Sequence, residues 1–237
     1  MKRTLITSLA SALALVACLA DPKDDVKAAA QKLADAANYS WTATTEIEGG
    51  QFTPAPVMGK AEKGGYAVVT TERDGNVTTA VLKGEKGVLK GDDGWQTAEE
   101  VQAAAQAGGG GGGGRFRGML LRTRLPASEA GKLADNAKEL KLVDGAISSD
   151  LTDEGAKEIA NLFRRPGGQI PEAKNAKASV KFWLKDGQLS KVSLRVSSTV
   201  NFNGEDRDFT RTTVYELKDV GTTKVEVPEE AKKKLGS

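Results

Sequence analysis

The sequence contains no histidine and only one cysteine, Cys18, among its 237 residues. The absence of histidine excludes imidazole acid–base catalysis, Ser-His-Asp triads and the usual zinc sites. A single cysteine cannot form a disulfide within the chain, so the fold must be stabilised by burial of apolar side chains. Aromatic residues make up only 5% of the chain, which disfavours a sugar-binding cleft lined by aromatic rings.

Long apolar runs are missing from the sequence after its first 20 residues. Lys2 and Arg3 precede an apolar stretch from Leu5 to Val16. This stretch is too short to span a bilayer and is typical of the apolar part of a secretory signal. We therefore expect residues 1–20 to be a signal peptide and the mature protein to be exported.

Two cleavage sites fit this signal. The segment Leu15-Val16-Ala17-Cys18 resembles the lipobox of bacterial lipoproteins, in which the cysteine becomes the acylated first residue. A cut before Cys18 would make this residue the lipidation site and anchor the protein to an envelope membrane. A cut after Ala20 also fits, because small residues lie at Cys18 and Ala20, and it would remove the cysteine. The expected location is therefore the periplasm or the surface of an envelope membrane.

Basic and acidic side chains are equal in number once the signal is removed. Loss of Lys2 and Arg3 leaves 32 basic and 32 acidic side chains. Proteins that bind nucleic acids by electrostatic attraction carry a basic excess. We therefore expect no nucleic-acid partner.

The hydrophobic pattern predicts two groups of strands separated by helices. Helical spacing of apolar residues covers 21–37, 98–107, 126–140 and 152–163. Strand-like runs cover 39–47, 57–63, 66–72, 77–83 and 87–90, and then 177–185, 189–201, 207–217 and 222–227. A short helix is predicted from Pro228. Because the connections between strands are short, neighbouring strands must be antiparallel. We predict one α+β domain over residues 21–237, in which a curved antiparallel sheet, like a half-barrel, has its concave face covered by helices.

Seven consecutive glycines occupy positions 108–114. They satisfy the pattern G-x-G-x-x-G only because any polyglycine does, since no strand precedes them and no acidic residue follows at the expected distance. We interpret them as a flexible loop within the domain and expect no cofactor.

Carboxylate pairs are the remaining candidates for catalysis. All of them lie in polar, turn-like stretches where ordinary solvation explains them: Asp92/Asp93, Glu99/Glu100, Asp150/Asp153 and Asp206/Asp208. No nucleophile motif, phosphate-binding loop or metal-binding spacing is present. We expect neither an enzyme nor a metal site, and a carboxylate-dependent hydrolase is the weaker alternative.

Period-two spacing selects one apolar face on each of three predicted strands. The candidates for an apolar cleft are Trp41, Ala43 and Ile47 on the first, Val180, Phe182 and Leu184 on the second, and Val192, Leu194 and Val196 on the third. The same faces would also suit a permanently filled core beneath helices. Trp183 lies on the opposite face, beside Lys181 and Lys185, and is a candidate contact for a partner.

The order of these features resembles a known fold. A helix follows the signal, Trp41 lies on the first strand, Lys83–Lys90 leads into Asp93–Trp95, and Val180–Gly187 leads into Leu189–Leu194. This layout resembles the LolA/LolB-type lipoprotein-carrier fold and the related lipid-carrying lipoproteins of the LppX/LprG group. The glycine run and the divided helices depart from the compact carriers.

The resemblance implies a function for the apolar cleft. Members of this family hold acyl chains in an open half-barrel closed by helices, so it implies an exported cell-envelope protein that binds a lipid or lipoprotein acyl chains, without catalytic residues. The alternative is a structural or interaction module whose concave side is permanently filled. Neither the ligand nor the oligomeric state follows from the sequence.

Overall fold

A computed structural model of the protein describes residues 21–49, 53–106, 118–162, 173–202 and 204–236. The predicted signal peptide, Cys18 and the glycine run at 108–114 lie outside the described residues. The helices are α1 (Pro22–Asp35), α2 (Ala98–Gln106), α3 (Pro126–Asp135), α4 (Asp153–Leu162) and α5 (Glu229–Leu235). None of the described helices is long and apolar enough to cross a bilayer.

The described residues also form eleven strands, in two main groups along the chain. They are β1 (Asn38–Ile47), β2 (Val57–Glu62), β3 (Tyr66–Arg73), β4 (Asn76–Lys83), β5 (Lys86–Gly91), β6 (Gly94–Thr97), β7 (Lys141–Val143), β8 (Ala146–Asp150), β9 (Lys174–Lys185), β10 (Gln188–Phe202) and β11 (Glu205–Lys218).

All eleven strands belong to one open, curved antiparallel sheet, in the order β6-β5-β4-β3-β2-β1-β11-β10-β9-β8-β7. The first and last strands of the chain meet in the middle, where Trp41 of β1 pairs with Leu217 of β11. This pairing joins the two sequence groups into a single surface. The predicted fold class, an α+β half-barrel, is therefore confirmed.

Helices α1, α3 and α4 pack against the concave face of the sheet. The apolar stripe of α1, which begins at Val26 and ends at Leu33, is buried against strands together with Ala130 and Leu133 of α3 and Ile159 of α4. Helix α1 begins where the sequence predicts, because Asp21 accepts a hydrogen bond from the Lys23 backbone N–H at 2.9 Å and Pro22 occupies the first turn.

The last helix, α5, packs on the other side of the sheet. Its Ala231 and Leu235 form a second, smaller core with Val81 of β4 and Val88 of β5. Val81 lies between Ala80 and Leu82, whose side chains point to the concave side, so α5 covers the convex face. The expectation that helices cover the concave face therefore holds for α1, α3 and α4 but not for α5.

Several predicted boundaries differ from those in the structure. The segment Thr222–Val227 is not a strand, and it cannot pair with the preceding strand β11 because β1 and β10 already occupy both edges of β11. Helix α3 ends at Asp135 rather than Leu140, and residues 141–150 form the hairpin of β7 and β8. The four-residue strand β6 was too short to give a sequence signal.

We expect Gly59→Ala to destabilise the protein. A Cβ atom at position 59 would lie 2.0 Å from Cζ2 of Trp41 on the neighbouring strand, so the indole or the strand would have to move. The expected loss is about 3 kcal/mol in the free energy of unfolding, the upper part of the usual range for overpacking. Urea unfolding followed by circular dichroism measures it.

Gly131→Ala is the matched control. A Cβ atom at position 131 would meet nothing within 4 Å, and alanine replaces glycine inside α3, so a stabilisation of about 0.5–1 kcal/mol is expected. Equal unfolding midpoints for the two variants would contradict the placement of the Trp41 indole against Gly59.

Candidate functional site

The residues predicted to line an apolar cleft come together on the concave face. Pairing places Val192 beside Phe182, and Leu194 beside Val180, on adjacent strands, while Ala43 and Val192 both neighbour Tyr215 of β11. Seven of the nine are buried under the helices, with Phe182 fully inaccessible. Ile47 and Leu184 are half-buried. In this conformation these side chains are packed as core.

Trp41 is the central aromatic residue of this face. Its side chain is 2% exposed, and its ring centroid lies 5.7 Å from that of Tyr39. The indole lies against Gly59 because that position has no side chain. Its Nε1 is buried and has no acceptor in the part of the chain that the structure describes. A buried donor without a partner costs about 1–3 kcal/mol, so an oxygen atom brought to this site would be stabilised.

An open pocket of about 360 Å³ lies between α1, α3 and the sheet. Its wall is mostly apolar, and half of the lining residues are alanine or glycine. The lining includes Ala30, Ala34, Ala61, Ala127, Gly131 and Leu125, together with the charged Lys27, Glu62 and Lys63. We refer to this space as the α1–α3 pocket. Its volume falls within the range of small-molecule binding sites.

Tyr39 forms the floor of the α1–α3 pocket and ties it to the sheet. The backbone N–H of Ala127, in the first turn of α3, donates a hydrogen bond to the Tyr39 hydroxyl oxygen. Helix α3 has no side-chain cap of its own, so this contact satisfies one of its free N–H groups. Burial raises the pKa of Tyr39 to about 12, more than the hydrogen bond lowers it.

The far end of the concave face is polar. Arg211 and Thr213 of β11 are buried, and the Thr213 hydroxyl hydrogen-bonds that of Thr45 at 3.1 Å. Burial lowers the pKa of Arg211 to about 10 and raises that of Tyr215 to about 12. The face therefore changes from apolar to polar along β11.

An ion-pair network connects two of the covering helices. Arg124, just before α3, lies 3.2 Å from the buried carboxylate of Glu129 in α3 and 3.7 Å from Glu158 in α4. Glu129 is 5% exposed, so removal of Arg124 would leave a buried charge without its partner. Helices α3 and α4 are thus joined by more than apolar contact.

Two of the carboxylates considered for catalysis, Glu100 and Asp206, make structural contacts. Glu100 accepts a hydrogen bond from the Thr97 backbone N–H at 2.8 Å and pairs with Lys234 of α5 at 2.7 Å. Asp206 accepts a hydrogen bond from Asn201 at 2.7 Å. The Lys234 contact lowers the pKa of Glu100, and the Asn201 contact lowers that of Asp206. A general acid in hydrolysis needs a raised pKa, so these groups are poorly suited to that role.

A second pocket, of about 400 Å³, has walls of mixed charge. Its Lys138 pairs with Asp153 at 3.5 Å, and its Arg195 forms an ion pair with Glu48. Because the charges of its lining are largely balanced, it favours neither an anion nor an apolar ligand. No group of three potential metal ligands occurs within the ranges that the structure describes.

Sequence reasoning missed the side chains that depend on long-range packing. The α1–α3 pocket is built from alanines and glycines of separate helices, which carry no motif. Arg211, Thr213 and Tyr215 do share one face of β11 by period-two spacing, and this alternation is the signal that could have found them.

Several solved structures align with most of this chain. LprF from Mycobacterium bovis is 12% identical, with a TM-score of 0.44, and the alignment covers 89% of this chain and 97% of that one. A LolA superfamily protein from Nitrosomonas europaea is 12% identical, with a TM-score of 0.35, and the alignment covers 87% of this chain and 96% of that one.

A DUF1329 family protein from Desulfovibrio piger is also 12% identical, with a TM-score of 0.36 and coverage of 89% and 96%. One of these proteins carries the name of the LolA superfamily, which the layout of the sequence also resembles. None of the family models matches the sequence, and none of the curated proteins does.

We expect the stability of the protein to fall as the pH rises from about 10 to about 12. The pKa of Tyr39 is raised from 10.0 to about 12 by folding, so in this range the unfolded chain loses the phenolic proton while the folded chain keeps it. The unfolded state is then favoured. Urea unfolding at several pH values measures the effect.

Tyr39→Phe separates the contribution of this residue from that of Tyr215. The variant should be about 1 kcal/mol less stable at neutral pH, because the Ala127 N–H loses its acceptor. Its stability should also fall less steeply above pH 10. An unchanged pH dependence would show that Tyr39 is not buried as described.

Proposed function

We propose that the protein is exported to the cell envelope and binds a lipid, or the acyl chains of a lipoprotein, between its sheet and its covering helices, without catalysing a reaction. The observation that carries this proposal is the α1–α3 pocket, an open apolar space that adjoins the largest apolar face of the molecule. Cys18 remains the proposed acylation site if the signal is cut before it.

The covering helix α1 is suited to move away from the sheet. Two of its four buried side chains are alanines, flanked by Val26 and Leu33 at the ends of the stripe, so little interlocking of large side chains resists its displacement. Its ties to other elements include Lys27 to Asp135 of α3 at 2.9 Å and Lys32 to the Gly187 carbonyl oxygen at 3.3 Å. These contacts are exposed, and exposed ion pairs contribute little to stability.

Displacement of α1 together with α3 would extend the α1–α3 pocket over the predicted cleft residues. Acyl chains would then contact Trp41, Val192 and Phe182 in place of the helices. Contacts of similar apolar area would be exchanged, so the free energies of the filled and empty states would lie close together, and both loading and release would be accessible.

The buried indole N–H of Trp41 favours a ligand that carries oxygen near its apolar part. An ester or amide carbonyl at this depth would accept the hydrogen bond that Nε1 lacks among the described residues. Hydrocarbon alone would leave the donor unsatisfied. This supports an acylated ligand rather than a plain hydrocarbon.

The second candidate is a structural or interaction module with a permanently filled concave side. The burial of seven cleft candidates beneath helices favours it. The two functions differ in what the protein contains when it is isolated from its own envelope. Native mass spectrometry should show added mass in the lipid range for a carrier, whereas an unchanged mass would favour the permanently filled module.

We expect Gly131→Leu to abolish most acyl binding. Position 131 faces the α1–α3 pocket, and a side chain there meets nothing within 4 Å at its Cβ. A leucine would fill the pocket while strengthening the helix. The affinity of the delipidated protein for a fluorescent fatty-acyl probe should fall at least about tenfold, which corresponds to roughly 1.4 kcal/mol.

Ala103→Leu in α2 is the control, since Ala103 is exposed and does not line the pocket. This variant should bind the probe as the unaltered protein does, and urea unfolding should show that both variants fold. The proposal fails if the unaltered, delipidated protein shows no saturable binding, or if the two variants bind equally well.

A further inference from the structure

Lysines dominate the convex face of β9 and its neighbour β10. Alternate residues of β9 point to this face, in the order Lys177, Ser179, Lys181, Trp183 and Lys185, because Ala178, Val180 and Phe182 are buried on the concave side. Lys191 of β10 adds a fourth ammonium group, next to Trp183 in the pairing of the strands. We call the four lysines and Trp183 the lysine face.

The four lysines of this face form no ion pair among the described residues. Lys177, Lys181 and Lys185 are exposed and form no ion pair with any residue that the structure describes. Lys191 lies over the ring of Trp183, with Nζ 4.8 Å from the ring centroid. Arg195 shares this side of the sheet but pairs with Glu48.

Acidic groups lie at the border of the lysine face rather than within it. Asp150 of β8 is opposite Ser179 and, with Asp153 of α4, lines the second pocket beside Lys177. Glu216 of β11 is opposite Lys191 but pairs with Lys218 at 3.5 Å. The face therefore has a local positive excess although the whole chain is almost neutral. No helix among the described elements covers it, since α5 lies over β4–β6.

We propose that the lysine face docks the protein onto a membrane surface rich in anionic phospholipid. Lysines four residues apart on a strand are about 13 Å apart, so the three on β9 span roughly 27 Å of gently curved surface. This spacing exceeds the Debye length of about 8 Å at physiological ionic strength, so the lysines repel one another little. Each can contact a different headgroup.

Trp183 favours a membrane over an acidic protein as the occupant. An indole with a polar N–H and an apolar body is suited to the boundary between headgroups and acyl chains. Here it is half-buried and surrounded by lysines with long apolar stems. The regular spacing of the lysines, without carboxylates between them on β9, matches a repeating anionic surface.

The test is sedimentation with vesicles of phosphatidylcholine, with and without about one third phosphatidylglycerol. The full chain should carry Cys18→Ala, so that acylation cannot tether it. We expect binding to the anionic vesicles that weakens with added salt. Lys177→Gln/Lys181→Gln/Lys185→Gln should lower the affinity about fivefold for each lysine, or on the order of 100-fold in total.

The control variant removes three exposed lysines elsewhere, Lys60→Gln/Lys86→Gln/Lys132→Gln, and has the same net charge. It should retain at least most of the vesicle affinity. A blue shift of tryptophan fluorescence on anionic vesicles should also be lost in Trp183→Phe. Equal affinities for the two triple variants would overturn the proposal.

Absence of binding to anionic vesicles would also overturn it. Retention of the unaltered protein, but not of the Lys177/Lys181/Lys185 variant, on a polyglutamate column would then assign the face to an acidic protein partner. Membrane docking by the lysine face does not depend on acyl binding in the α1–α3 pocket. The two are measured separately, since the fluorescent probe is bound in solution without vesicles. The β9 triple variant should bind that probe normally, so the two proposals can fail separately.

Discussion

The pairing of β1 with β11 is the contact on which the rest of the molecule depends. Each half of the sheet alone would have an apolar face too small to hold three helices. Joined at Trp41 and Leu217, the halves form one concave surface, and α1 can then lie across strands that are distant in the sequence. The main core, the α1–α3 pocket and the burial of Trp41 all follow from this junction.

The two faces of the sheet differ in composition and in what covers them. The concave face carries apolar side chains up to the polar end at Arg211, and its helices bury most of them. The convex face is covered by α5 over β4–β6 and carries the lysine face on β9 and β10. A ligand site and a docking surface can therefore occupy opposite sides of the same strands, since successive residues alternate in direction.

Local periodicity explains how much could be predicted from the sequence. The face shared by Val180 and Phe182 and the start of α1 at Pro22 depend on near neighbours, and both were predicted correctly. Arg211, the α1–α3 pocket and the position of α5 depend on which elements meet in space. The segment Thr222–Val227 has strand-like residues, but both edges of the preceding strand β11 are already paired, and no local pattern contains that information.

The open sheet ends in its two shortest strands, with four residues in β6 and three in β7. Unpaired strand edges are templates for the addition of further chains, and proteins protect themselves by keeping such edges short. A half-barrel that must not close on itself needs this protection at both ends. The shortness of the two edge strands thus allows the sheet to stay open while limiting edge-to-edge association between copies of the protein.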